Sequence, residues 1–250
     1  MERIEADVDA VRLSFLKGKD RKVVYIHGSG CDATLWKNQL KAVGGYAVDL
    51  PNHGKSCSAE IRDIDDYAYF VAKAVKKLFG KAVIAGHSLG GAVAQKIYLN
   101  HPKVVEGLIL IGTGVRLRVL PEILRGLKER PDETSKLVSE YSFANRNMAE
   151  EFSEIFRARP DLLRKDLLIC DKFDLLEKYR NGEIRIDVPV LIVVGEKDRL
   201  TPVKYAEFLK KHISNSELVI IEDAGHMVML ERPEGLNDAM GRFLERFDNI

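Results

Sequence analysis

The sequence predicts an α/β fold, with a mostly parallel central sheet, helices on both faces and a helical segment inserted between two of the strands. Three observations carry this. Short β-branched runs recur without polar alternation, as strands covered on both faces do. Amphipathic helical patterns separate them. One long stretch shows helical stripes and no strand. A chain of 250 residues suffices for one such domain carrying an insertion.

Taken in order, residues 23–26, 47–50, 83–85, 108–111, 190–194 and 218–221 read as buried strands. Between the second and third, Tyr67, Phe70, Val71, Ala74, Val75 and Leu78 follow helical spacing. Asp63, Asp65 and Asp66 stand before and within the first turn, where negative charge meets the positive end of the helix dipole. A helix is expected over 91–100 and a short one over 34–43. Near the end, Pro233 opens a helix with Leu236, Met240, Phe243, Leu244 and Phe247 on one face. From Val115 to Asp187 only helical stripes occur: Leu120, Ile123, Leu124 and Leu127, then Met148, Phe152, Ile155 and Phe156, then Leu163, Leu167 and Cys170. Pro131 and Pro160 punctuate them. The expected organisation is a core of residues 1–114 and 188–250 with a helical cap at 115–187.

The formal net charge is +1 with both signs spread along the chain, which gives no footprint for nucleic acid and no polybasic patch for a membrane surface. Three cysteines without C-x-x-C spacing read as free thiols of a reducing compartment. Residues 1–7 contain no apolar stretch of the kind a secretory leader needs, and no run is long enough to span a bilayer, so a cytoplasmic protein is expected. Neither H-E-x-x-H nor any other metal-ligand spacing occurs among the histidines, and the expectation is no metal and no organic cofactor.

Gly86-His87-Ser88-Leu89-Gly90 lies between a strand and a helix. That context gives G-x-S-x-G its meaning: a tight turn holds the serine in a strained conformation with its hydroxyl clear of the sheet. The N–H of Leu89, at the helix N-terminus, can then stabilise an oxyanion. Such a serine needs a base. His226 follows the last strand, where ligands bind in open α/β sheets. His27, His53, His87, His101 and His212 compete less well. His27 and His53 lie in turns, His87 points away from the face of Ser88 by alternation, His101 ends a helix and His212 sits on a charged one. Asp198, in the loop after residues 190–194, is the candidate acid, with Asp223 and Glu196 as rivals. Ser29, in His27-Gly28-Ser29-Gly30 after the first long strand, is the candidate second oxyanion donor, with Gly30 next. The same loop permits a rival reading: Gly28-x-Gly30-x-x-Ala33 after a strand, with Asp49 ending the next, matches a dinucleotide fingerprint and leaves Ser88, Asp198 and His226 without a role. Trp36 suits a packing anchor or a pocket wall. Phe143, Phe152 and Phe156 are candidate pocket residues, with helical spacing drawing the last two towards the core.

With these segments in view, the chain resembles the α/β-hydrolase superfamily over nearly its whole length, in its serine esterase-like branch with a helical cap. Residues 23–30 resemble the strand and H-G-x-G loop. Asp49-Leu50-Pro51-Asn52-His53-Gly54-Lys55-Ser56 resembles the D-x-x-G-x-G-x-S turn, with Asn52 where glycine is usual. Residues 86–91 resemble the elbow, Gly195-Glu196-Lys197-Asp198 and Gly225-His226 the acid and base loops, and Glu231-Arg232-Pro233-Glu234 the segment after the histidine. The resemblance implies a serine hydrolase cleaving a small to medium carboxylic ester, with a helical cap over the site. A thioesterase, a C–C bond hydrolase, or a ligand receptor retaining the triad stays open beside it. Ser88 argues against the epoxide hydrolases and dehalogenases, which use an aspartate, and the absence of H-G-G-G against the lipases that carry it.

Overall fold

The computed structural model describes residues 1–247. An antiparallel hairpin, absent from the sequence prediction, comes first: β1 (Glu2–Val8) and β2 (Val11–Lys17). Its signal was an alternation, with Ala6 and Val8 buried and Glu5 and Asp7 exposed. Asp9, at φ 51°, turns the hairpin, and aspartate is among the residues that tolerate that region.

The six predicted strands follow as β3 (Val23–Ile26), β4 (Tyr46–Val48), β5 (Ala82–His87), β6 (Val105–Ile111), β7 (Val190–Gly195) and β8 (Ser216–Ile221). All eight form one sheet in the order β1-β2-β4-β3-β5-β6-β7-β8. Every pairing from β4 to β8 is parallel. Residues alternate between two cores. Val24, Ile26, Ile84, Leu108 and Leu110 face one, and Val23, Tyr25, Val83, Ile109 and Ile111 the other. Two apolar faces per strand explain why the sequence shows continuous runs.

Helices cover both faces. α1 (Lys37–Ala42) continues a 3-10 turn at Ala33–Trp36, and α2 (Ile64–Phe79) starts at Asp63, whose side chain accepts the Asp66 N–H. α3 (Leu89–Asn100) follows the elbow. Between β6 and β7 lie α4 (Pro121–Glu129), α5 (Pro131–Ser142), α6 (Arg146–Ala158), α7 (Pro160–Lys172) and α8 (Leu176–Arg180). Within that stretch, Arg116 and Asp174 form an isolated bridge. Pro131 and Pro160 each stand at the first position of a helix, where a missing N–H costs nothing. The helix at α5 carries no continuous apolar stripe, since its buried face is Thr134, Ser135, Val138, Ser139 and Ser142. In α6, Phe152 and Phe156 are buried, whereas Ile155 is exposed. α9 (Val203–His212), α10 (Val228–Glu231) and α11 (Pro233–Leu244) complete the chain, and residues 248–250 of the expected core lie outside the described residues. Among the described residues no helix is long and apolar enough to cross a membrane.

Candidate active site

Ser88 joins β5 to α3 with φ 53° and ψ −114°. A non-glycine residue there costs about 1–3 kcal/mol and persists only where its surroundings impose it. They do so on both sides. The Ser88 N–H donates to the Ile111 carbonyl (3.0 Å), and its own carbonyl accepts from Gly91 N–H (2.9 Å), Ala92 N–H (3.2 Å) and Thr113 Oγ1 (2.9 Å). The turn admits no Cβ two positions to either side of the serine. One on Gly86 would lie 2.0 Å from the Gly90 carbonyl oxygen, and one on Gly90 2.2 Å from that of Ile26. Leu89 opens α3, where first-turn N–H groups lack intrahelical acceptors.

Asp198 and His226 sit on neighbouring loops after β7 and β8. Glu196 N–H donates to Ile221 O (2.9 Å) and Lys197 N–H to Ala224 O (2.8 Å), tying the two loops together. His226 Nδ1 donates to Asp198 Oδ2 at 2.8 Å with both side chains buried. Asp198 also accepts from the N–H groups of Leu200 (2.9 Å) and Thr201 (2.8 Å) and from Thr201 Oγ1 (2.9 Å). Burial alone would raise its carboxyl, but the His226 charge and these donors hold it below the ordinary value. The rivals are engaged elsewhere: Asp223 pairs with Lys197 Nζ (2.5 Å) in solvent, and Glu196 accepts the Asp223 N–H (3.3 Å). The His87 ring packs on that of His226 with centroids 4.5 Å apart, and its Nε2 donates to the His226 carbonyl (3.0 Å). Burial, then the His226 charge, lower His87 well below the usual imidazole range, so it backs the site as a neutral ring.

The loop after β3 approaches Ser88 closely. A Cβ on Gly28 would lie 2.8 Å from His87 Nδ1 and 3.4 Å from Ser88 Cβ. Gly30 N–H donates to Asp166 Oδ2 (2.8 Å), which commits the alternative donor, while Ser29 Oγ lies 3.5 Å from Cys170 Sγ. Asp49 is committed too, to Arg3 (2.6 Å) and the N–H groups of Ala33 (2.7 Å) and Lys55 (2.8 Å). A dinucleotide would need both the free loop amides and that carboxylate.

Ser88 and His226 line one cavity of about 220 Å³. Its other walls are mainly apolar: Leu117, Val119 and Leu120 before α4, Ile123, Val138, Leu167 and Cys170 from the inserted helices, and Leu200 and Tyr205 from the acid loop and α9. Leu120, Tyr141 and Leu200 are exposed at this cavity. Burial pushes the Cys170 thiol up to about 12, which makes it an apolar wall and not a nucleophile. None of the three candidate phenylalanines reaches this cavity. Phe152 stacks between Phe143 and Phe156 (5.2 and 5.1 Å), and Phe143 borders a separate cleft of about 800 Å³ lined by charges of both signs. Their size suits a pocket, but the fold spends it on seating α5 and α6. Trp36 is fully buried against Tyr25 (5.1 Å) as a packing anchor.

Residues 23–239 match the Alpha/beta hydrolase family. The chain belongs to that family. Within this family, a solved structure described as a thermophilic esterase is 55% identical, with a TM-score of 0.96, covering 99% of this chain and 98% of the other. A pimeloyl-[acyl-carrier protein] methyl ester esterase from Neisseria meningitidis is 30% identical over 245 residues, 90% of this chain and 94% of the relative. A meta-cleavage product hydrolase from Pseudomonas fluorescens, 18% identical with a TM-score of 0.80 and 96% of both chains covered, shares the hydrolase fold.

Two buried carboxylates at the site escaped the sequence reading. Glu231 accepts from Gly225 N–H (2.7 Å) beside His226 and from Ala144 (2.8 Å) and Asn145 (3.1 Å) between α5 and α6. Asp166, on α7, holds Gly30. No spacing marks either, because most of their partners, main-chain amides and the side chains of His53 and Tyr67, come from other elements of the fold. Among the described residues, no group of three His, Cys, Asp or Glu is placed to hold a metal ion.

Proposed function

We propose that this esterase works by acyl transfer through Ser88, on carboxylic esters with a small to medium acyl chain. Ser88 attacks the ester carbonyl as His226 takes its proton, and Asp198 orients the imidazole and stabilises its charge. The N–H groups of Leu89 and Ser29 hold the oxyanion, each contributing about 3–4 kcal/mol. His226 then protonates the leaving alcohol, and water repeats the cycle on the acyl-enzyme. Residues 115–187 act as a cap that closes the acyl cavity.

The observation that carries this reading is the shared cavity. It presents the elbow serine at φ 53° and a histidine whose Nδ1 is bound to a buried aspartate, leaving Nε2 to act as base. Its volume of about 220 Å³ supports the chain length.

Hydrolysis of p-nitrophenyl esters from acetate to laurate, with methyl esters beside them, tests the proposal. Turnover should peak at short to medium chains. Ser88→Ala should lower kcat roughly 10⁵–10⁶-fold with an unchanged melting temperature. Turnover by the purified variant near that of the parent would refute the role of Ser88.

A further inference from the structure

Asp166 is a fully buried carboxylate that the acyl-transfer steps do not use. It projects from α7 of the inserted segment and accepts from three core elements. Oδ2 takes the Gly30 N–H (2.8 Å) after β3 and His53 Nε2 (2.9 Å) after β4, while Oδ1 takes the Tyr67 hydroxyl (2.9 Å) on α2. An unpaired carboxylate is not tolerated at such a depth, so the three donors are a requirement of the site and not an ornament.

The contacts bracket one residue. At one end of the loop, the Gly28 carbonyl is held by His27 Nδ1 (2.8 Å), whose Nε2 accepts the Leu50 N–H (3.1 Å) and so fixes the tautomer. At the other end, the Gly30 N–H is held by Asp166. Ser29 lies between two anchored peptide groups. The space around Gly30, at φ 68°, is closed as well: a Cβ there would meet Leu163 at 3.1 Å and Phe156 at 3.3 Å. We propose that Asp166 is a positioning residue for the reaction, setting the Ser29 N–H in the oxyanion hole through its bond to Gly30. This rests on the reading of Ser29 as oxyanion donor. Leu167 and Cys170, one residue and one turn further along α7, line the Ser88 cavity. One helix therefore forms a wall of the acyl site and fixes the loop that faces the developing charge.

Oxyanion stabilisation acts in the transition state and depends on donor placement. Loss of the anchor should therefore lower kcat and kcat/KM together. Asp166→Ala is expected to lose kcat roughly 10–100-fold, short of the 10²–10³ for deleting a donor, with KM within about threefold. Affinity for a trifluoromethyl ketone analogue of the substrate should fall in step with kcat/KM, and inhibition by the product carboxylate should not change. Asp166→Asn can aim its oxygen at Gly30 and His53 and its amide at the Tyr67 oxygen, so it should restore kcat to within about threefold of the parent. Tyr67→Phe removes a donor from the other oxygen and should lower the melting temperature with kcat unchanged. Should Asp166→Ala fail to fold, the double variant Asp166→Leu/His53→Phe removes both charges and gives the same readout. Parent-like kcat and ketone affinity in a folded Ala or double variant would overturn the proposal, as would an equal kcat loss in Tyr67→Phe. Labelling of Ser88 by a fluorophosphonate separates the two readings. A parent labelled at Ser88 with unimpaired variants defeats the role of Asp166 alone, whereas an unlabelled parent defeats the acyl-enzyme reading and this proposal with it.

Discussion

Among the described residues the fold holds two buried aspartate–histidine pairs, and they are nearly alike in length. Asp198 and His226 meet at 2.8 Å, Asp166 and His53 at 2.9 Å. What separates them is the second ring nitrogen. His53 Nδ1 faces the Pro51 carbonyl at 2.9 Å, and a carbonyl and a carboxylate only accept, so both nitrogens donate and the ring is an imidazolium. Burial would lower its pKa, yet Asp166 raises it overall. His226 bonds the carboxylate through Nδ1, and its ring lines the cavity that Ser88 shares. A pair with both nitrogens committed is a fastener; on the proposed mechanism, the pair that keeps one nitrogen for Ser88 is the base.

Substitutions can break this contrast. The largest effect should come from Asp198→Asn, which preserves shape but disturbs the tautomer of His226. We expect kcat to fall roughly 10⁴-fold with little change in thermal unfolding, as read by steady-state kinetics and calorimetry on one preparation. A loss of only a few-fold would mean that Asp198 does not orient the base. His53→Leu should act in the opposite sense. It leaves Asp166 buried without its cation, costing about 3–5 kcal/mol and lowering the melting temperature by roughly 10 °C. A parent-like melting curve would show that this pair fastens nothing.

The smallest effect, and the sharpest, is in the pH dependence of stability. The His53 pKa is raised by folding, so its contribution is complete below the unfolded value near 6.5 and is lost as pH rises through the folded value. Burial, then the charge of His53, lower His27 from 6.5 to about 4, so its contribution is lost as pH falls through that window. Asp198, depressed below 3.8, adds a further loss in stronger acid. Melting temperatures from pH 3 to 10 should therefore decline on both sides, and His53→Leu should flatten the alkaline side and, by removing a charge that depresses His27, soften the acid side as well. An unaltered alkaline decline would assign it to another group.

How much of this was legible in the sequence follows the range of each interaction. Five of the six strands showed as apolar runs because both of their faces are covered; β8, expected as a buried strand at 218–221, lies at the sheet edge with Ile220 exposed. The elbow showed because its glycines and serine are adjacent. The N-terminal hairpin was harder: β1 exposes most of its residues at least in part and its polar alternation resembles a surface segment, while the apolar run of β2 is interrupted by Ser14. Helical spacing correctly drew Phe152 and Phe156 towards the core, whereas Phe143 was misjudged because aromatic size says nothing of which side of a helix meets the cavity. Phe143, Phe152 and Phe156 pack on one another, while smaller Leu167 and Cys170 line the wall. Asp166 and Glu231 were invisible as site residues, since each reads locally as one charge on a helix.

Ser88 itself sets a tension between endurance and chemistry. At φ 53° a glycine would sit without strain, whereas the serine holds an unfavourable conformation that its neighbours must enforce. Selection that rewarded heat resistance alone would drive position 88 towards glycine and erase the hydroxyl proposed as nucleophile. On the proposed mechanism, the serine at that turn is a record of selection for turnover.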